Sequence, residues 1–255
     1  MNEDERQKLG VKTARTIFDI LEMLQSNDGL SVSELAAEAN MAKSTAHRHL
    51  TSMEQIGYIV RENNSYYVGL KFLNLGIYAR NRYNIYLQSR SKVDELADET
   101  GERVQLMIEE HGHGVQLYPK FGERSVKTDA RPGQRVHLHS NAAGKAILAF
   151  LPRSRVEEII NKWGCPRRTE NTITDPNVLF SELCEIRDQG IALNDGERIE
   201  GLRAVGVPIL NGNRNVVGSI SISGPSGRFT GDWYSEELPR LLRGTVDEIE
   251  LNLKY

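Results

Sequence analysis

The sequence of 255 residues is 39% hydrophobic and carries 32 basic against 35 acidic side chains, a formal charge of −3. A chain of this length can bury a sizeable core in one large or two medium domains. The nearly balanced charge excludes a protein coated with positive charge for indiscriminate binding to nucleic acids or membranes, and it also excludes an acidic disordered tail. Any polyanion must therefore be bound by a small local patch.

The sequence has neither an export signal nor a membrane span. Residues 1–10 are charged and polar, and the longest apolar run, residues 146–151, is far shorter than the roughly 20 residues needed to cross a bilayer. Two cysteines, Cys165 and Cys184, are too few for a disulfide framework in so long a chain. These features predict a protein of the cytoplasm with no membrane association.

Three short helices are predicted in the first part of the chain. Apolar side chains recur at helical spacing over residues 13–24, which indicates an amphipathic helix. Ser31 followed three positions later by Glu34 is typical of a capping box, so a second helix is expected to begin there. A break at Asn40-Met41 precedes a third helix over residues 42–55, which Gly57 ends.

A hairpin and two further helices are predicted next. The β-prone runs 58–60 and 66–68 flank a polar, turn-prone segment. Helical periodicity then extends from about residue 70 to residue 87, and another helix over residues 91–99 ends at Gly101. We expect the boundary between domains to lie between these last two helices.

The rest of the chain mixes strands with helices. Strands are predicted over residues 104–109, 115–118, 204–210 and 216–223. Helices are predicted over residues 142–151, 153–163, 177–189 and 235–253, with Pro152 separating the first two. Because several of the strands are joined by hairpins, the pattern predicts an α+β domain with an antiparallel sheet.

The third predicted helix has one apolar and one polar face. With Ala46 facing inward, a turn of 100° per residue places Leu50 and Met53 within about 40° of it. The opposite face and its flanks carry hydroxyl, amide, imidazole and guanidinium groups and no carboxylate. These residues are Ser44, Thr45, His47, Arg48, Thr51, Ser52 and Gln55.

Two short helices separated by a tight break and followed by a hairpin are typical of a winged helix-turn-helix that reads DNA. Arg48 can donate two hydrogen bonds to guanine, and Lys43 at the helix start suits a phosphate. From Asn40 to Arg61 three basic residues and one Glu give a local charge of +2. Because so few cations bind few phosphates, tight binding is expected to need two or more copies. The alternative is a helical scaffold with a solvated polar face.

The motifs that follow one another along nearly the whole chain resemble those of IclR-type transcriptional regulators. They lie at residues 13–17, 33–36, 43–50, 57–58, 66–70, 133–139, 141–146, 172–174, 200–209 and 221–225. The resemblance implies a winged helix-turn-helix domain at 1–75, a linker helix at 76–87, and a GAF-like effector-binding domain with an antiparallel sheet at 88–255. It also implies a homodimer or dimer of dimers on a palindromic double-stranded operator.

The resemblance further implies a pocket for a small organic acid or aromatic compound. The residues that would line it are Thr128, Val136, Ala142, Ala143, Asn194, Leu202, Ala204, Ser221 and Ser223. Independently, residues 141–144 begin a predicted helix whose backbone N–H groups can hold a carboxylate. Ser219, Ser221 and Ser223 alternate along a predicted strand and so share one face. The alternative for these serines is a polar strand face exposed to solvent.

Other constellations point to no catalytic residue, cofactor or metal. The Gly144-Lys145 pair lacks the earlier glycine and the following hydroxyl residue of a phosphate-binding loop. His137 with His139, and the histidines at 111 and 113, are candidates to share a metal, but no carboxylate or thiolate partner is evident. Surface or hydrogen-bonded histidines are therefore the favoured interpretation.

A ligand-responsive regulator is the leading prediction, and two alternatives belong to other classes. One is a small-molecule enzyme whose helical N-terminus serves only for assembly, although no nucleophile, base and orienting group form a recognisable motif. The other is a nucleic-acid-binding module without a ligand. On the linker, Leu70, Leu73, Ile77 and Tyr78 are candidates for dimer contacts, or alternatively for packing within one chain.

Overall fold

The computed structural model describes residues 11–254, so the polar segment 1–10 noted above lies outside the described residues. The chain divides into two compact units with the boundary between Ala79 and Arg80. The domain limits predicted from the sequence, 1–75, 76–87 and 88–255, are not tested by this boundary and stay a prediction. Within the described residues, no helix combines the length and the apolar character that a membrane crossing requires.

The first unit has the predicted order of three helices and a hairpin. Helices α1 (Lys12–Ser26), α2 (Val32–Glu38) and α3 (Lys43–Gln55) are followed by strands β1 (Ile59–Glu62) and β2 (Ser65–Val68). The two strands pair in antiparallel register. The apolar faces of the three helices and the hairpin meet in one buried core. This arrangement confirms the helix-turn-helix and its wing.

The start of α2 and its turn into α3 follow from local chemistry. The hydroxyl of Ser31 accepts a hydrogen bond from the amide of Glu34, whose carboxylate accepts one from the amide of Ser31, so the capping box is confirmed. Asn40 adopts the left-handed conformation with φ 47°, which Asn tolerates better than most residues. The chain therefore reverses within a few residues before α3 begins.

The helical stretch predicted from residue 70 to residue 87 is interrupted in the structure. Helix α4 (Lys71–Asn81) ends before Tyr83, whose extended backbone precedes helix α5 (Asn84–Thr100). The Tyr83 hydroxyl donates to Glu110, and its ring packs against the core of the second unit. The prediction of one continuous helix over residues 70–87 is therefore wrong. The contacts of Tyr83 with residues distant in sequence hold the chain in a turn that the helical periodicity does not indicate.

The second unit is built on a six-stranded antiparallel sheet in the order β5-β4-β3-β8-β7-β6. Its strands are β3 (Arg103–Glu110), β4 (His113–Phe121), β5 (Arg135–Val136), β6 (Ala192–Asp195), β7 (Leu202–Leu210) and β8 (Val216–Pro225). Its remaining helices are α6 (Ala142–Phe150), α7 (Arg153–Trp163), α8 (Pro176–Gln189), a π-helical turn (Trp233–Glu237) and α9 (Leu238–Asn252). The prediction of an α+β fold with an antiparallel sheet is confirmed.

Helices cover both faces of this sheet. Ile220 and Ile222 of β8 belong to the core that the sheet forms with α5 and α9. The intervening Ser219, Ser221 and Ser223 project to the other face, where α6 packs, and all three are buried. The predicted common face of the serines is therefore confirmed, and the alternative of an exposed polar face is wrong.

Candidate functional site

The outward face of α3 carries the residues predicted to contact DNA. Ala46, Leu50 and Met53 are buried, as their helical spacing predicts. Seven of the nine predicted residues are exposed, namely Lys43, Ser44, His47, Arg48, Ser52, Gln55 and Arg61, whereas Thr45 and Thr51 are half-buried. The orientation of the helix is confirmed, and the contacts of its side chains with DNA stay a prediction.

The start of α3 is left open for an anion. Unlike α2, it has no side-chain cap, because its N-cap residue is Ala42. The amides of Thr45 and Ala46 donate to the Ala42 carbonyl. The amides of Lys43 and Ser44, which precede them in the first turn, have no acceptor in the described chain. Uncapped amides at a positive helix end next to a lysine suit a phosphate group.

The cations of this face are not neutralised within the first unit. Lys43, Arg48 and Arg61 form no ion pair with any residue between 11 and 254. The guanidinium of Arg61 lies 5.5 Å from the ring centroid of Tyr66, which holds it on the hairpin. The Ser52 hydroxyl donates to the Arg48 carbonyl at 2.8 Å, so its oxygen is left to accept. The face therefore combines hydrogen-bonding groups with positive charge.

A small cavity in the second unit collects most of the residues predicted to bind an effector. It lies among β3, β7, β8 and the start of α6, and its volume is about 30 Å³, enough for one or two water molecules. Six of the nine predicted residues line it, namely Ala142, Asn194, Leu202, Ala204, Ser221 and Ser223. We call this the first cavity.

Three predicted residues do not line the first cavity. Ala143 is buried beside it, and its carbonyl accepts a hydrogen bond from Ser219. The Thr128 hydroxyl accepts from the guanidinium of Arg103 at 2.7 Å. Val136 lines a different, larger cavity. Six of the predicted residues thus share one cavity and three do not, and their contact with an effector stays a prediction.

Close backbone contacts place the start of α6 on the sheet. A Cβ on Gly206 of β7 would lie 2.7 Å from the carbonyl carbon of Ala142, so only glycine permits this approach. Asn141 caps the helix by accepting from the amide of Gly144 at 2.8 Å. The amides of Ala142 and Ala143 have no acceptor among the described residues and suit a carboxylate.

Arg103, to which no sequence motif points, lines the first cavity and adds a positive charge to it. Arg103 donates to Ser223 at 2.9 Å as well as to Thr128. Burial, followed by the nearby charge of Arg198, lowers its pKa to about 10, so it stays a cation at neutral pH. Gln105 adds a buried carbonyl oxygen that has no hydrogen-bond partner in the described part of the chain.

The larger, second cavity has a volume of about 360 Å³. Its lining residues are His113, Asp129, Arg135, Val136, His137, Arg168, Arg198 and Ile199. Burial, with the charges of His139 and Arg168 next in size, lowers the pKa of His137 to about 4. Between residues 11 and 254, no group of three or more His, Cys, Asp or Glu side chains is placed to hold a metal ion.

The lysine of the Gly144-Lys145 pair is part of a buried ion-pair network. Its ammonium donates to Glu182 and, at 2.5 Å, to Glu197, and its side chain is 1% exposed. Burial raises the pKa of Glu197, whose second oxygen is buried without a partner among the described residues. Lys145 thus ties α6 to α8 and to the loop that carries Arg198.

Comparison with known proteins agrees with both units. Residues 15–63 match the model of the IclR helix-turn-helix domain, and residues 78–251 match the model of the bacterial transcriptional regulator IclR C-terminal domain. The chain is 32% identical over 240 residues to the probable HTH-type transcriptional regulator ArcR of Halobacterium salinarum, covering 92% of this chain and 91% of the relative.

Solved structures agree with the fold over almost the whole chain. The crystal structure of the Thermotoga maritima IclR is 34% identical, with a TM-score of 0.82 and coverage of 95% of this chain and 99% of that one. An IclR homologue from Microbacterium hydrocarbonoxydans, solved in complex with 4-hydroxybenzoate, is 22% identical, with a TM-score of 0.82 and coverage of 95% and 99%.

Proposed function

The chain belongs to the IclR family of bacterial transcriptional regulators, and we propose that it binds a palindromic operator as a homodimer or dimer of dimers and senses a small organic acid or aromatic metabolite. The family consists of DNA-binding regulators with an effector domain, so the alternatives of an enzyme and of a module without a ligand fall away. Its place of action would be the cytoplasm, where the operator is.

The observation that carries the proposal is the outward face of α3. It presents Arg48, hydroxyl groups and an amide on a helix whose buried side fixes its orientation, and it follows a tight turn from α2. Such a second helix docks in the major groove, where a guanidinium distinguishes guanine. One copy has few cations with which to contact phosphates, so we expect two copies on adjacent half-sites to be needed for tight binding to the operator.

The salt dependence of DNA affinity tests whether the protein binds an operator as proposed. Three cations for each of two subunits would neutralise about six phosphates, so log affinity should fall against log salt concentration with a slope of about −5. Fluorescence anisotropy on a duplex from upstream of the gene measures this slope, and a duplex of scrambled sequence is the control. A slope near zero, or equal binding of both duplexes, would contradict the proposal.

The linker helix supplies the surface for a second copy. Helix α4 has no buried residue, and Leu70 and Tyr78 are 82% and 68% exposed, which supports dimer contacts over packing within one chain. An exposed apolar row of this kind commonly marks a protein interface.

Substitution of Leu73 by lysine should weaken the dimer. Leu73 is 58% exposed, and a buried ammonium at a dimer contact would be costly, so we expect at least a tenfold rise in the dimer dissociation constant. Sedimentation velocity measures it. Ala79→Lys adds the same charge on the opposite, exposed side of the helix and serves as the control. Equal effects of the two variants would mean that charge, not the apolar row, decides assembly.

The chemistry of the first cavity suits an acid as the effector. Arg103 and Arg198 are cations, and the amides at the start of α6 have no acceptor in the described chain. The complex of the Microbacterium homologue with 4-hydroxybenzoate supports an aromatic acid as one option. Because about 30 Å³ admits no organic acid, the effector must bind a conformation in which this cavity is larger. A regulator responds only to a ligand that prefers one of its conformations.

Substitution of Ser221 by leucine should abolish the response to effector and leave DNA binding unchanged. Ser221 is buried and lines the first cavity, so the larger apolar side chain would fill it. The test is a gel shift titrated with the organic acid that gives the largest thermal stabilisation in a screen. Ser181→Leu, on the exposed face of α8, is the control. A normal response of Ser221→Leu would exclude this cavity.

A further inference from the structure

The second cavity is separate from the first and about twelve times as large by the same measure, at 360 against 30 Å³. Arg198 and Ile199 line both, so the two cavities adjoin at these residues. They lie on a short loop that Gly196 and Gly201 flank with φ of 71° and 73°. Its volume falls within the range of about 300 to 1,000 Å³ typical of small-molecule sites.

Two arginines of the second cavity have unused binding capacity. The guanidinium groups of Arg168 and Arg198 form no hydrogen bond or ion pair with any residue between 11 and 254. By contrast, Arg135 pairs with Glu110 at 2.8 Å, outside the lining. Asp129, which provides the lining carboxylate, accepts from Gln134 at 2.7 Å. Three arginines and one aspartate give the lining a formal charge of +2.

The imidazoles in the lining respond to this positive charge. The pKa of His113 is lowered first by burial and then by Arg135, and that of His137 is lowered by burial and then by His139 and Arg168. The Nδ1 atom of His113 is buried and has no hydrogen-bond partner in the described chain. The cavity therefore contains polar groups and positive charge that the fold itself leaves unsatisfied.

We propose that the second cavity is a binding site for a small dianion, a dicarboxylate or a phosphate monoester, held by Arg168 and Arg198. Two guanidinium groups match two negative charges, and each can donate two parallel hydrogen bonds to a carboxylate or phosphate.

The shared arginine couples the two cavities. Arg198 faces both cavities, so a dianion that binds it in the second cavity turns its positive charge away from the first. The affinity of each cavity for its ligand therefore depends on whether the other cavity is occupied, and this dependence is reciprocal. The dianion site rests on the lining of the second cavity alone and does not depend on operator binding. A failure of DNA binding would therefore leave it intact, and a failure of dianion binding would leave the regulator intact.

Calorimetric titration of the full chain with succinate, inorganic phosphate and acetate tests the site. We expect at least one dianion to bind about tenfold or more tightly than acetate, and Arg168→Gln to weaken that dianion about tenfold or more. Whether succinate or phosphate binds more tightly distinguishes the dicarboxylate from the phosphate. Arg168 is exposed and its guanidinium has no partner in the described chain, so the variant should unfold at the wild-type temperature.

Arg167→Gln is the matched control for this experiment. It removes the same charge from the neighbouring position, but Arg167 donates to the Glu170 carbonyl and is absent from the lining. Equal losses in Arg167→Gln and Arg168→Gln would indicate diffuse attraction and overturn the proposal. So would equal affinity for acetate, or no binding of either dianion at millimolar concentration.

Discussion

Lys145→Met is expected to lower the free energy of unfolding by about 3 to 5 kcal/mol, since removing one partner of a buried ion pair strands the other. Lys145 is the cation between Glu182 and Glu197, and its loss leaves two carboxylates close together beneath α6. The pKa of Glu197, already raised by burial, should rise further without the lysine. Urea unfolding at neutral pH, followed by circular dichroism, measures the loss.

The surface of the same unit offers a matched control. Lys92 also bridges two glutamates, Glu95 at 3.0 Å and Glu248 at 2.7 Å, but both carboxylates are more than half exposed. Lys92→Met should therefore cost less than about 1 kcal/mol. Similar losses in the two variants would mean that Lys145 contributes no more than a surface ion pair.

The pH dependence of Lys145→Met separates the charge effect from lost packing. A carboxyl group whose folded pKa is raised binds a proton more readily in the folded than in the unfolded state. Its contribution to stability is complete below the unfolded pKa of about 4.5 and is lost as pH rises through the folded pKa. The variant should therefore regain stability relative to the wild type on acidification, and a loss that is constant with pH would point to packing.

Arg48→Ala should weaken operator binding by about 1 to 3 kcal/mol at each half-site and relax the preference for one base pair. Arg48 is exposed at the centre of the outward face of α3 and has no ion-pair partner among the described residues, so its guanidinium is available to a base. Anisotropy titrations on the operator and on operators changed at single positions measure both effects.

The control for Arg48 is an arginine equally exposed on a helix of the other unit. Arg240→Ala in α9 removes the same charge, and it should leave operator affinity and base preference unchanged. If Arg48→Ala weakened all duplexes to the same extent, Arg48 would contact a phosphate and not a base. Wild-type binding of every duplex would exclude α3 as the recognition helix.

Local patterns in the sequence predict much of the fold. Helix α3 and the β7–β8 hairpin are recovered because apolar residues recur at the period of a helix or a strand. The same spacing predicts the common face of Ser219, Ser221 and Ser223. The serine face of the sheet is covered by α6, which is far away in sequence, and so the burial of the serines could not be predicted.

The charged groups of the cavities were missed for the same physical reason. Arg103 begins a strand that is otherwise mostly apolar, and it meets its partner Ser223 only because β3 and β8 are neighbours across 120 residues. Arg198 lies in a loop with no periodicity. Lys145 is a charged residue within an otherwise apolar helix. This indicates that it has a buried partner of opposite charge, but the sequence does not identify Glu182 or Glu197 as that partner.

The glycine of β7 limits how the specificity of this regulator can be altered by engineering. Beneath the start of α6, the wall of the first cavity consists of backbone in contact with Gly206, where any side chain would collide with Ala142. Substitution of Gly206 therefore cannot be used to reshape that wall. If the first cavity binds the effector as proposed, a biosensor for a new metabolite would be evolved through side chains that line it, such as Asn194, Leu202 and Ser221.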